Sequence, residues 1–88
     1  MSAGTIRIEV RYFASLREAF GPAELFEISA DATVGELRDA LAARGGEHAR
    51  LLARGRAVRY AVDQLMADDS VRMHEGAEVA FFPPVTGG

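Results

Sequence analysis

The apolar positions of this chain begin with a period of two. From Thr5 to Phe13, Ile6, Ile8, Val10 and Tyr12 fall on one side and Arg7, Glu9 and Arg11 on the other, which predicts a strand with one buried and one wet face. Glu24 to Ser29 offers a second strand with Phe26 and Ile28 on one face. The brief Gly21-Pro22-Ala23 connection favours antiparallel pairing of the two. Between them, Ala14 to Phe20 contains good helix formers with Leu16 and Phe20 four apart, and Gly21-Pro22 acts as a stop.

The period then lengthens to that of a helix. Thr33 stands three residues before Glu36, the spacing at which each side chain satisfies an orphan amide of the first turn. Val34, Leu37, Ala40 and Leu41 continue as an apolar stripe, and Gly45-Gly46 ends it. This predicts the main helix, lying across one face of a sheet. Because the first strand has a polar opposite face, one helical layer suffices.

Glu47 to Arg56 reads equally as more helix or as a short strand around Leu51-Leu52 before a turn at Gly55. Arg56 to Val62 predicts a strand with Val58 and Tyr60 on one face, Asp63-Gln64 a turn, and Asp68-Asp69-Ser70 a loop leading to Val71 and Met73. His74-Glu75-Gly76 is a further turn signal before a last strand from Ala77 to Phe82. That strand carries Val79 and Phe81 on one side and Ala80 and Phe82 on the other. A strand apolar on both sides belongs near the middle of a sheet, or where its second side meets a partner. Strands without βαβ spacing predict an α+β arrangement and not a doubly wound sheet. The domain is expected to occupy residues 1–82, with residues 83–88 as an extended tail.

Pro83-Pro84 stops the last strand, since proline cannot donate to a ladder. Six residues are too few to form an element; fully extended they span about 20 Å at most, at roughly 3.3 Å each. Proline restricts the torsions at the base, and Gly87 and Gly88 present a backbone with no side chain, slim enough to thread a narrow channel. A terminal carboxyl has a pKa of about 3.5 and is ionised at neutral pH, so it is a poor acyl electrophile until a partner activates it.

Composition narrows the chemistry. With 88 residues one core is expected, and function should sit on the surface or at an end. The absence of cysteine removes disulfides, thiolate catalysis, iron-sulfur ligation and thiolate zinc sites. A net charge of −3 with no basic cluster argues against nucleic acid as a partner. No apolar run approaches a membrane span, and Met1 to Gly4 does not read as a signal peptide, so a cytoplasmic protein without membrane attachment is expected. All ten basic residues are arginine, so if the chain is ever linked through its own terminus to a lysine, that lysine belongs to another protein.

His48 and His74 lack matching ligand spacing, so surface positions and no metal site are expected. Asp68 and Asp69 read as a solvated loop, and Ser15, Ser29 and Ser70 have no recognisable base partner. Arg11 and Arg17 fit a docking face or a solvated position equally.

The run Glu78-Val79-Ala80-Phe81-Phe82-Pro83-Pro84-Val85-Thr86-Gly87-Gly88 closely resembles the C-terminus of the molybdopterin synthase small-subunit family. Val10-Arg11-Tyr12-Phe13-Ala14 with Arg17-Glu18, the capped Thr33-Val34-Gly35-Glu36-Leu37, Ala61-Val62 and Glu75-Gly76 extend the resemblance over nearly the whole chain, most weakly between Gly45 and Arg56. Asp63 departs from it, standing where family members often have asparagine; both favour a turn.

The resemblance implies a ubiquitin-like β-grasp, a mixed sheet packed against one main helix. It also implies a cycle in which a ubiquitin-activating-like adenylyltransferase uses ATP and Mg to adenylate the terminus. A sulfur donor system then converts it to a thiocarboxylate, and the tail enters the large subunit of a 2+2 heterotetramer. There, two successive sulfur donations to cyclic pyranopterin monophosphate form the molybdopterin dithiolene. On this reading Gly88 carries the sulfur, Gly87 allows passage, and Phe81, Pro83, Pro84, Val85 and Thr86 lie along the partner groove. No cofactor is held permanently; nucleotide is met only during activation. No autonomous active site is expected, so the chain would be the sulfur-donating subunit of a sulfurtransferase complex.

Three other readings remain open at this point. A sulfur carrier for thiamine, tRNA thiolation or cysteine synthesis keeps the role of Gly88 and changes the acceptor. A ubiquitin-like protein modifier joins Gly88 to lysines elsewhere. An interaction domain with an inert tail loses nothing when Gly88 is removed.

Overall fold

The computed structural model describes residues 4–83. The element order is β1 (Thr5–Tyr12), α1 (Ala14–Phe20), β2 (Ala23–Ser29), α2 (Val34–Ala42), α3 (Gly46–Leu52), β3 (Arg59–Val62), β4 (Leu65–Ala67) and β5 (Glu78–Phe82). The five strands form one sheet in the order β2-β1-β5-β3-β4. β1 and β5 run parallel, and every other neighbouring pair is antiparallel. This is the expected α+β class, and β5, apolar on both faces, occupies the centre of the sheet.

The core lies between one sheet face and the helices. Ile8, Val10 and Tyr12 of β1, Val79 and Phe81 of β5 and Tyr60 of β3 meet Leu16, Val34, Leu37, Leu41 and Leu52 from the helical side. Val34, Leu37 and Leu41 are fully buried, each contributing about 1.5–3 kcal/mol relative to exposure.

The Thr33–Glu36 capping box forms as the spacing predicts. The Glu36 amide donates to Thr33 Oγ1 at 3.2 Å, and the Thr33 amide donates to Glu36 Oε1 at 2.9 Å. The segment left open between helix and strand is helical: α3 runs from Gly46 to Leu52 and buries Leu52. Gly45 and Gly46 sit at φ +80° and +57°, so the glycine pair turns the chain between two helices instead of leading out to a strand. β3 starts at Arg59, three residues later than the pattern from Arg56 suggests, and β5 starts at Glu78 instead of Ala77.

Leu65–Ala67, a stretch with no recognisable period, pairs with β3 across a two-residue turn. Asp63 and Gln64 both take positive φ, +49° and +71°, the handedness that suits the twist of a tight hairpin. Asp63 also ties the hairpin to the start of β5: its amide donates to the Glu78 carbonyl at 2.8 Å, and its Oδ1 accepts from the Glu78 amide at 3.0 Å.

Candidate functional site

Strand alternation sends Val79 and Phe81 inward and Ala80 and Phe82 to the open face. Phe81 is fully buried, in edge contact with Tyr60 at 5.3 Å between ring centroids and tilted against Tyr12 at 6.3 Å. The expectation that Phe81 lies along a partner groove is therefore corrected: its side chain is core, and the half-buried Phe82 faces outward. Pro83, half-buried, closes β5 on the same end. Pro84, Val85, Thr86, Gly87 and Gly88, the remaining expected site residues, lie outside the described residues.

Around Phe82 the open face is apolar. Register places Arg11, Ala80, Ala61 and Met66 side by side across β1, β5, β3 and β4, and places Arg59 directly opposite Phe82. Phe13 adds an exposed ring that meets Phe82 edge-on, 6.4 Å apart at 83°. Its amide donates to the Phe81 carbonyl at 3.1 Å, continuing the parallel pairing by one residue before Ala14, at φ +52°, turns the chain into α1. Met66 is 62% exposed, and Met66, Phe82, Pro83 and Arg59 line an open hollow of about 340 Å³. An apolar patch at the point where a chain leaves the sheet suits docking of a second protein.

The sequence pattern does not mark Phe13, Met66 or Arg59 as docking residues. Phe13 reads as the end of an alternating strand, and Met66 falls in a stretch without a recognisable period. Only the sheet order brings them beside Phe82. Arg11, considered for a docking face, is on this face and within 3.7 Å of Glu78.

The other polar candidates form structural pairs. Asp68 accepts from the Ser70 hydroxyl at 2.6 Å, and Asp69 pairs with Arg54 at 2.8 Å. Ser29 Oγ accepts from the Asp31 amide. Exposed His74 lies 2.6 Å from Asp63 through Nε2, and that hydrogen bond, with a second to the Glu75 carbonyl, raises its pKa above the ordinary value. His48 stacks on Phe20 with centroids 4.1 Å apart, and its Nε2 lies 3.3 Å from Arg44 Nη1. Burial first, then the charge of Arg44, lowers its pKa.

Arg44 in turn holds Glu24 in a two-point pair at 2.8 and 3.0 Å, and Glu24 accepts from the Tyr12 hydroxyl at 2.7 Å. Burial pushes the Tyr12 phenol far above its usual range, and the bond to Glu24 adds to the effect. For Glu24 burial acts upward too, but the bonds from Arg44 and Tyr12 prevail and hold the carboxyl below its usual value. Among the described residues, no group of three or more histidine, aspartate or glutamate side chains is arranged to hold a metal ion, and no helix is long and apolar enough to cross a membrane. What this surface offers chemically is a rigid base and an apolar seat beside the last strand.

Comparison with known proteins agrees with that geometry. Residues 10–88 match the ThiS family. The molybdopterin synthase sulfur carrier subunit of Escherichia coli is 42% identical over 82 residues, covering 92% of this chain and 99% of that protein. The solution structure of the Haloferax volcanii HVO 2177 protein superposes with a TM-score of 0.81 at 32% identity, covering 97% of this chain and 89% of that one. The ubiquitin of Caldiarchaeum subterraneum shares the fold at a TM-score of 0.64 and 18% identity, with 97% and 100% covered. The mixed sheet over its helices is thus a ubiquitin-like β-grasp, and the chain belongs to the ThiS family.

Proposed function

We propose that this chain is the sulfur-carrier small subunit of molybdopterin synthase, with the carboxyl of Gly88 as the group that bears the sulfur. The reading rests on the match to the E. coli carrier, 42% identical over 99% of that protein. The fold supplies a physical reason for it: β5, clamped between β1 and β3, holds the base of the tail rigid as far as Phe82.

A ubiquitin-activating-like adenylyltransferase, using ATP and Mg, lets a carboxylate oxygen of Gly88 attack the α-phosphate, and pyrophosphate leaves. Sulfide-level sulfur from a donor system attacks the acyl carbon, AMP leaves, and the terminus becomes a thiocarboxylate. The sulfur attacks an electrophilic carbon of cyclic pyranopterin monophosphate within the large subunit, and the oxygen substituent it replaces there leaves with the bonding pair. Water then breaks the bond between carbonyl carbon and sulfur, restoring the carboxylate and leaving sulfur on the substrate. Two such rounds make the dithiolene.

The chain's own part is presentation. Gly87 permits passage, Pro83, Pro84, Val85 and Thr86 line the approach, and the patch of Phe82, Phe13 and Met66 seats the large subunit, in a 2+2 heterotetramer. The test is to mix thiocarboxylated protein with the purified large subunit and cyclic pyranopterin monophosphate and to follow the pterin by mass spectrometry. Molybdopterin is the expected product. Its absence, with a fully thiocarboxylated carrier bound to its partner, overturns the proposal.

A further inference from the structure

Within the docking patch one charge has no counterpart among the described residues. Arg59 is exposed and stands opposite Phe82 in the register between β3 and β5. It shares the hollow with Met66, Phe82 and Pro83, none of which carries a negative charge to pair with it. On its other flank a second hollow is lined by Asp68 and Asp69, but both carboxylates are engaged elsewhere. Asp68 accepts from Ser70, and Asp69 accepts from Arg54. No ion pair or side-chain hydrogen bond joins Arg59 to any described residue, whereas Arg11, the other arginine beside the patch, lies within ion-pair range of Glu78.

A protein that seats on Met66 and Phe82 removes water from Arg59 as well. A guanidinium desolvated without a counter-charge opposes binding strongly, and one that meets a carboxylate in two-point geometry favours it and fixes the register of docking. We infer that Arg59 is a specificity-determining residue of this face, and that the large subunit brings an acidic side chain into the hollow between Met66 and Phe82. The inference rests on the proposed function, since that reading names the occupant. It adds where on the face the charge complementarity lies and which sign the partner carries. Arg59 positions the complex and takes no part in the sulfur chemistry.

The experiment measures Kd and association rate between the full chain and the purified large subunit of the same organism, at low and high salt. Arg59→Gln, Arg59→Glu, Arg59→Lys and Met66→Asp are compared with the parent, after thermal melting establishes that each is folded. The expected order is parent tightest, Arg59→Lys next, Arg59→Gln weaker, and Arg59→Glu weakest by about tenfold or more, with part of the loss in association rate and a smaller salt dependence in Arg59→Gln. If Met66→Asp abolishes binding while Arg59→Glu binds within about twofold of the parent, the face is the docking site but no carboxylate meets Arg59, and the inference is overturned while the functional reading stands. If Met66→Asp also binds as the parent does, the seat is elsewhere and the inference falls with it. If the parent does not bind the large subunit at all, the functional reading fails first.

Discussion

The guanidinium of Arg38 donates through Nη1 to the Tyr60 hydroxyl at 2.9 Å inside the core. Its remaining bonds go to backbone carbonyls: Nε to Leu52 at 2.8 Å, and Nη2 to Ala53 and Arg56 at 2.6 Å each. One side chain of α2 thus fastens the end of α3 and the loop that leads into β3. Arg38→Met leaves these acceptors without partners, each worth about 1–3 kcal/mol when buried. Because the loop reaches water on one side, a net loss of roughly 3 kcal/mol is expected by denaturant unfolding. Tyr60→Phe removes only the hydroxyl acceptor and should lose about 1–2 kcal/mol.

Gly35 illustrates a helix position where alanine is expected to harm. A Cβ there would stand 2.8 Å from Arg54 Nη2, 3.0 Å from Asp69 Cβ and 3.2 Å from the Asp69 carbonyl oxygen. The arginine tip can swing aside, but the backbone at Asp69 is held by the Gly35 amide, which donates to it at 3.0 Å. Alanine ordinarily favours a helix over glycine by about 1 kcal/mol. Here crowding should outweigh that gain, and Gly35→Ala should lower stability by about 1–2 kcal/mol net in chemical denaturation.

The two aromatics at the end of β5 separate stability from docking. Phe81→Ala empties a fully buried site and should cost about 3–5 kcal/mol. Phe82→Ser should remain within about 1 kcal/mol of the parent in melting experiments yet bind the large subunit more weakly. Loss of binding without loss of folding in the second variant, and the reverse emphasis in the first, is the pattern expected from their opposite orientations.

The histidines should titrate on opposite sides of 6.5, the ordinary value. Burial and then the charge of Arg44 lower the pKa of His48, so its ring resists protonation more in the native state than in the unfolded chain. Its contribution to stability is present above pH 6.5 and is lost as pH falls through the lower folded-state value. His74, raised by Asp63, contributes most below pH 6.5 and loses that contribution as pH rises through the higher folded-state value. NMR titration of the ring carbons should give a midpoint below 6.5 for His48 and above it for His74, and His48→Gln should remove the acid-side loss.

Much of this architecture is legible in the amino-acid pattern because local and tertiary preferences agree. The alternation of Ile6, Ile8, Val10 and Tyr12 is satisfied by one buried sheet face, the Thr33–Glu36 spacing by a formed capping box, and the two-sided apolarity of Val79 to Phe82 by a central strand. What is not legible depends on partners distant in sequence. Alternation separates Phe81 from Phe82 without saying which is inside. Leu65–Ala67 is a strand only because Asp63 and Gln64 adopt a left-handed turn clamped to Glu78. Arg38 occupies a polar place in the pattern of α2 and is buried because three carbonyls from another part of the chain converge on it. The docking patch is likewise a product of sheet order, since Phe13, Arg59, Met66 and Phe82 belong to four segments of the chain.

The central claim, that the terminal carboxyl of Gly88 accepts sulfur, is tested most directly by intact-mass measurement. The folded protein is incubated with its activating enzyme, ATP, Mg and a sulfur donor. The account predicts a gain of about 16 Da, the difference between oxygen and sulfur, as a covalent change of the chain, with fragmentation placing it on Gly88. An unchanged mass with a demonstrably active enzyme, or a gain located on any other residue, would contradict it.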